Sequence, residues 1–400
     1  MDKREFIKKG LTLGAGLPFL STLLQSCGEE SLGAPLIDTN FSGNVIIIGA
    51  GAAGMTAAYL LQRNNIPYEV IEAAPVIGGR VKRIQDFADF PIDLGAEWIH
   101  TDPSILSEIV NDPTVTGDID FITYNPQTIH LYKNGKVRER NWFNNFYSEW
   151  KFKNTTWFGF FERFILPSIE DNITLDLPVT SIDSTGSTTT VTTADGNARQ
   201  ADRVIVTVPI KILQDEVIEF RPALSAEKRE VIDNISMDDG LKVFIEFKER
   251  FYPDALLFGS FIEALTSDEK TYYNAAFRKG SNRNILGLFT INDEAARYTS
   301  LGSDERIIEE VISELDEMFD GQASQHYQNH VIQNWSAEPY IRGSYSYTFS
   351  GSQNSMVDTL KAPIDNKIYF AGEALSIDAQ ATVHGASESA YDTVRRMLEG

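Results

Sequence analysis

The chain has 400 residues, too many for one small core and enough for two or three domains of roughly 100–200 residues each. Hydrophobic residues at 42% and charged residues at 23% exclude wholesale disorder. A formal charge of -22 and a sequence pI near 4.6 argue against a nucleic-acid partner, and suit plain solubility or the attraction of small cations. Cys27 is the only cysteine, so an intramolecular disulfide and a cysteine-based metal site are excluded, and no metal is expected.

The first thirty residues read as an address. Lys3, Arg4, Lys8 and Lys9 form a basic n-region, and Gly10 to Leu24 is apolar but holds glycines and Pro18. Those fifteen residues fall short of the ~20 that cross a bilayer as a helix. Leu24-Gln25-Ser26-Cys27 then resembles a bacterial lipoprotein signal, cleaved before a lipidated Cys27. Lys3-Arg4-Glu5-Phe6-Ile7-Lys8 is also similar to a twin-arginine export signal, with Lys for the first Arg. The expectation is export to the bacterial cell envelope, periplasm or outer membrane, with membrane contact only through a lipid anchor at Cys27. Residues 28–43 form a polar tether.

Asn44 to Ile48 is a continuous apolar, β-branched run, as in a strand buried on both faces. It enters Gly49-Ala50-Gly51-Ala52-Ala53-Gly54, then a helical stretch from Met55 to Gln62 and a second strand, Tyr68 to Ile71, ending at Glu72. In this βαβ context Gly49 permits the tight turn, Gly51 lets backbone approach a pyrophosphate, and Gly54 brings helix and strand together. Glu72 stands where a carboxylate binds a ribose diol. The motif alone leaves NAD and FAD both open.

Residues 101–170, rich in aromatics from Trp142 to Phe161, read as mostly helical. Alternation from 177 to 208 predicts a strand at Val179–Ile182, a hairpin turning at Asp195-Gly196, and a strand from Arg203 to Val208. A helix is expected over Ser225–Ile235, a strand over Leu241–Phe247 and an amphipathic helix over Asp304–Phe319. The chain closes with a strand at Lys367–Ala371 and a helix from about Gly385 to Leu398.

Four motifs then carry a resemblance. Glu72-Ala73-Ala74-Pro75-Val76-Ile77-Gly78-Gly79-Arg80 is similar to the second fingerprint of FAD proteins. Asp93-Leu94-Gly95-Ala96-Glu97-Trp98-Ile99-His100, Tyr369-Phe370-Ala371-Gly372-Glu373 and Thr382-Val383-His384-Gly385-Ala386 follow in order. Together they resemble the flavin-containing amine oxidase family, which includes monoamine oxidases, polyamine oxidases and flavin-dependent histone demethylases. The resemblance runs from residue 44 to 398. It implies an α/β fold, with a Rossmann-like FAD domain of the glutathione-reductase type assembled from residues 44–100, 170–222 and 350–400. An α+β substrate domain would come from 101–169 and 223–349. The implied FAD contacts are Gly49, Gly51, Ala53, Gly54, Glu72, Ala73, Gly79, Arg80, Gly95, Ala96, Glu97, Trp98, Val179, Pro209, Trp335, Tyr340, Gly372, Glu373, Thr382 and Val383.

The same resemblance assigns the reaction centre. Lys242 matches the family lysine that holds a water against the flavin, although by pattern alone a lysine on an alternating strand is a solvated residue. Tyr345 matches one wall of the aromatic cage that guides an amine. The second wall is Thr382, so the cage is half built, as in the demethylase branch. Ser344 stands where monoamine oxidases carry the cysteine that tethers flavin, so FAD is expected to be non-covalent.

Trp98 lies near the place where amino-acid oxidases of this fold carry a carboxylate-binding arginine, which favours an amine substrate. His100 resembles the tunnel histidine of polyamine oxidases. The reading is FAD-dependent oxidation of a polyamine or other primary or secondary amine, with O2 as second substrate. The alternatives are a desaturase or protoporphyrinogen-oxidase type acting on a bulky apolar substrate, and a non-catalytic flavin-binding scaffold.

Overall fold

A computed structural model describes residues 37–140, 148–259, 269–347 and 353–400. The stretch read as an export signal and most of the expected tether, and Trp142, Phe143, Phe146 and Tyr147, lie outside the described residues.

The glycine-loop unit forms as its pattern predicts. All four residues of the strand Val45–Ile48 are buried, because it sits mid-sheet and is covered on both faces. The sheet order is Ile173–Thr174, Tyr68–Ile71, Val45–Ile48, Arg203–Val206 and Ile368–Phe370, all parallel. Numbered along the chain this is 3-2-1-4-5, the doubly wound order whose crevice opens beyond the carboxyl ends of the strands. Helix Ala52–Arg63 packs beside the last helix, Val383–Glu399, through small residues including Ala58, Ala386 and Ala390. Thr56 and Ser387 share a hydroxyl–hydroxyl hydrogen bond of 3.0 Å across that contact.

The aromatic stretch 101–170 differs from expectation. It holds strands at Phe121–Tyr124, Ile129–Lys133, Lys136–Glu139 and Glu149–Phe152, and among the described residues its α-helices are Ile105–Val110 and Trp157–Phe164, beside short 3-10 turns. Burial alternates residue by residue along Phe121–Tyr124 and over most of Ile129–Lys133, as on a pleated surface with one face covered. Asn134 and Gly135, both at positive φ (52° and 71°), turn the hairpin between Ile129–Lys133 and Lys136–Glu139. The two helices pack into the same core as Ala52–Arg63 and Val383–Glu399.

A seven-stranded mixed sheet forms the second layer, and the strand Gly240–Phe247 runs inside it between Asn284–Ile291 and Tyr327–Asn334. Leu241, Val243, Ile245 and Phe247 face a core shared with helix Asp304–Met318. Phe244, on the opposite face, joins Tyr124 and Tyr273. That period-2 alternation turns Lys242 inward. Among the described residues no helix is long and apolar enough to cross a membrane.

Candidate active site

At the glycine loop, the protein leaves space where a ligand would need it. Gly49 has φ +104°, and a Cβ on Gly54 would stand 1.9 Å from the Gly49 carbonyl oxygen, so helix and strand approach only without side chains. A Cβ on Gly51 would meet no atom closer than the Gly78 carbonyl oxygen at 3.9 Å. Gly51 is also the N-cap of helix Ala52–Arg63, with no side-chain cap and no acidic residue in the first turn. An uncapped helix N-terminus beside open space suits a pyrophosphate. Glu72 accepts hydrogen bonds from Ala50 N (2.6 Å) and Ala74 N (2.9 Å), which fixes its carboxylate at the end of the second strand. Burial pushes its pKa up against those backbone bonds.

The residues around Lys242 form a buried, charged centre. Lys242 Nζ donates to Asp93 O (3.0 Å), Gly95 O (3.0 Å) and Glu97 Oε2 (2.6 Å). Three acceptors match the three N–H groups of an ammonium, so none is left for the water that the sequence reading expected. Tyr273 OH donates to the same Glu97 oxygen at 2.5 Å, and Lys151 Nζ contacts the other one. Burial opposes ionisation of Glu97, but the charges of Lys151 and Lys242 overcome it and hold the carboxyl well below its usual range. Asp93 behaves oppositely. Burial, then the Glu97 charge, pushes it up to about 8, while its Oδ1 accepts from Trp157 N at 3.1 Å.

Tyr345 is tied to this centre from both sides. A Cβ on Gly240 would lie 2.4 Å from Ser344 Cβ, so the tyrosine segment packs directly on the strand bearing Lys242. On the other side Ser346 Oγ donates to Glu373 Oε2 (2.6 Å), and Glu373 also accepts from Arg80 Nη1 (2.9 Å) and Ala381 N (3.0 Å). Ala381 holds φ +68°, a left-handed backbone rare for a residue with a side chain, immediately before Thr382. Thr382 is the N-cap of the last helix. Its hydroxyl accepts from Gly385 N (2.9 Å) and donates to Ala379 O (2.7 Å), so it is engaged by backbone on both counts. Trp335 closes the ring of contacts: its backbone N donates to Gly240 O (2.9 Å) and its Nε1 to Leu94 O (3.3 Å).

Trp98 and His100 lie on the strand edge beyond Glu97. The Trp98 ring meets Tyr124 and Tyr273 edge-on, with centroids 5.1 and 5.5 Å away. His100 is exposed, with Nδ1 3.3 Å from Glu149 Oε2. His384, in the first turn of the last helix, is pushed down to about 4 by burial and then by His100, so it is neutral at pH 7.

A family model of flavin containing amine oxidoreductases matches residues 165–398, and one of NAD(P)-binding Rossmann-like domains matches residues 47–112. The chain belongs to the flavin containing amine oxidoreductases. It is 24% identical to mouse lysine-specific histone demethylase 1B over 86% of its length, and spans about half (51%) of that relative. It is 25% identical to polyamine oxidase 4 of Oryza sativa subsp. japonica, with 89% of each chain covered. The fold is that of cyclohexylamine oxidase from Brevibacterium oxydans IH-35A, at a TM-score of 0.73 and 16% identity, over 90% of this chain and 99% of that one.

FAD is the cofactor of this family member, and the open space at Gly51, the uncapped helix and Glu72 fit it. Ala53, Ala73, Gly79, Val179, Pro209, Tyr340, Gly372 and Val383 lie on loops and element ends, several of them only half-buried. With Ser344 before Tyr345, a thioether to the flavin has no sulfur at that position. Sequence reasoning missed Lys151, Tyr273, Tyr124 and Glu149. Lys151 is directly opposite Trp98 in a strand pairing that no motif encodes. Gly287 makes room for Tyr273, since a Cβ there would stand 2.6 Å from the tyrosine ring.

Proposed function

We propose that this chain oxidises primary or secondary amines, polyamines among them, with O2 as the final electron acceptor. Bound FAD would supply the redox chemistry, as acceptor of a hydride from the amine carbon and donor of two electrons to O2, with hydrogen peroxide and a hydrolysable imine as products. Glu72, Arg80 and Glu373, with the glycine loop, would hold the cofactor. The observation that carries the reading is the Lys242 ammonium. It is anchored at three points, and the Gly240–Ser344 contact joins its strand to Tyr345. Lys242 contributes a fixed positive charge, Tyr345 an aromatic face for the amine, and Trp335 a lid of apolar surface that excludes water. The charged centre at Glu97 does not suit the bulky apolar substrate of the desaturase reading.

Hydride loss requires a neutral amine, so activity rises with pH as the substrate ammonium gives up its proton. The net charge of -22 and the absence of an arginine at Trp98 favour cationic amines over amino acids. An amine panel with peroxide detection, run beside an artificial electron acceptor, tests this. Polyamines or other amines should turn over, and free L-amino acids should not. Best turnover with L-amino acids would overturn the assignment. The order of basic region, apolar stretch and Cys27 supports a further part of the proposal, a lipid-anchored protein of the cell envelope. Cys27→Ser should then release it from the membrane fraction, and an unchanged fraction would refute the anchor.

A further inference from the structure

Glu97 is one carboxylate shared by two buried ammonium groups. Glu97, Lys151 and Lys242 are 7%, 1% and 3% exposed, so none is neutralised by water. The bonds made by the two lysines differ. Lys242 has three oxygen acceptors, one of them Glu97 Oε2 at 2.6 Å. Lys151 contacts Glu97 Oε1 but has no aligned hydrogen-bond acceptor among the described residues. Its Nζ faces three rings instead, with centroids at 4.5 Å (Trp98), 5.0 Å (Tyr273) and 5.2 Å (Tyr124). Three ring faces and a carboxylate make a box for a cation.

We propose that Lys151 is a positioning residue that, through the shared Glu97 carboxylate, leaves this centre with one net positive charge beside the flavin. Glu97 and Lys242 taken alone are a neutral pair, so a centre containing only them would offer the cofactor a dipole. With Lys151 these three groups carry two cations to one anion, one charge more than the pair in the presence of the Lys279 ammonium, and that surplus favours the flavin when it becomes anionic. The inference rests on the FAD reading above, which puts Lys242 against the cofactor.

The other charged or titratable groups facing Glu97 and Lys151 are Asp93, Lys279, Tyr124 and Tyr273. Burial pushes Lys151 down and the Glu97 charge pulls it back; Tyr273 is pushed well above its ordinary value, chiefly by burial, and stays neutral. Asp93 is raised, and Lys279 is lowered to about 8, both chiefly by burial. Below that range Asp93 holds its proton and Lys279 its charge; the Glu97 charge raises both and the Lys151 charge lowers Lys279, so each variant is read at pH 6 as well as at pH 7.

The test is the affinity of the purified holoenzyme for sulfite at pH 7 and at pH 6, at one ionic strength, read from flavin absorbance. Sulfite reports the charge near the flavin, because its adduct leaves the ring negative. Lys151→Met, which removes the surplus charge, should weaken sulfite binding about tenfold. The double variant Glu97→Gln/Lys151→Met restores one net charge on Lys242, and should return the affinity to within about threefold of the parent. A purely structural role predicts the reverse order, with the double variant worse than the single. A Lys151→Met affinity unchanged within about twofold, or a double variant no better than Lys151→Met, overturns the inference while leaving the flavin assignment intact. If Lys151→Met loses its flavin, Lys151→Gln is read against the same two limits. A parent protein without flavin overturns both readings.

Discussion

Between Val45 and Gly79 the groups facing the cofactor region are mostly backbone: a helix N-terminus, a glycine turn and one carboxylate held by two amide N–H groups. At Glu97 they are side chains, and they come from four separate segments: the 93–97 loop, and the strands Glu149–Phe152, Gly240–Phe247 and Lys270–Asn274. The first region is local, contiguous and nearly neutral. The second is assembled across the fold, and each member depends on the others for its charge state. A backbone cradle tolerates change unless an atom enters its space. A shared-carboxylate centre responds to any change in charge, even one that keeps the shape.

The largest effect is expected at the centre. Lys242→Met leaves Glu97 paired with Lys151, so the protein should fold and keep flavin, while turnover with an amine falls roughly 100- to 1000-fold. Steady-state peroxide release and the flavin content of the same sample check this. Equal loss of turnover and flavin would make Lys242 a structural residue and erase the distinction between the regions.

At the cradle, Gly51→Ala adds one carbon where the nearest protein atom is 3.9 Å away. The Gly51 backbone, at φ -78°, accepts any L-residue, so the apoprotein melting point should move by no more than about 3 °C. FAD affinity should fall about tenfold or more, because the added methyl enters the space left for the pyrophosphate. Full FAD retention would mean that the open space serves something else.

The smallest effect is on stability, and it has a definite sign. Folding raises Asp93 from an ordinary carboxylate value to about 8, so the native state holds a proton that the unfolded chain gives up. Its contribution is full below about pH 4 and is lost as pH rises through 8. Asp93→Asn keeps an acceptor for Trp157 N and cannot ionise. The melting point of the variant relative to the parent should therefore increase from pH 5 to pH 8; a constant difference would show that Asp93 is ionised throughout.

The same contrast explains what was legible in the sequence. The 45–72 unit, the hairpin at Asp195-Gly196 and the strand at 241–247 are written in adjacent residues, and the fold follows them; that Lys242 is buried was not, because its strand is covered on both faces. The strands from Phe121 to Phe152 were hidden by aromatic richness, which suits a helix face or a pleated strand equally; the Asn134-Gly135 turn was the signal available to tell them apart. The Asp93–His100 motif gives no sign of the partners that Glu97 meets. Only the pairing of Trp98 with Lys151, and the arrival of Tyr273 over Gly287, reveals the centre. The Tyr273–Glu97 hydrogen bond joins residues 176 positions apart and leaves no periodic trace.

The central claim, that this chain draws electrons from amines into a bound flavin, is tested most directly by anaerobic titration of the purified holoenzyme. A polyamine or a simple primary or secondary amine should bleach the flavin absorbance, while L-amino acids at the same concentration leave it unchanged. A flavin that dithionite reduces fully but that no amine bleaches would contradict the account.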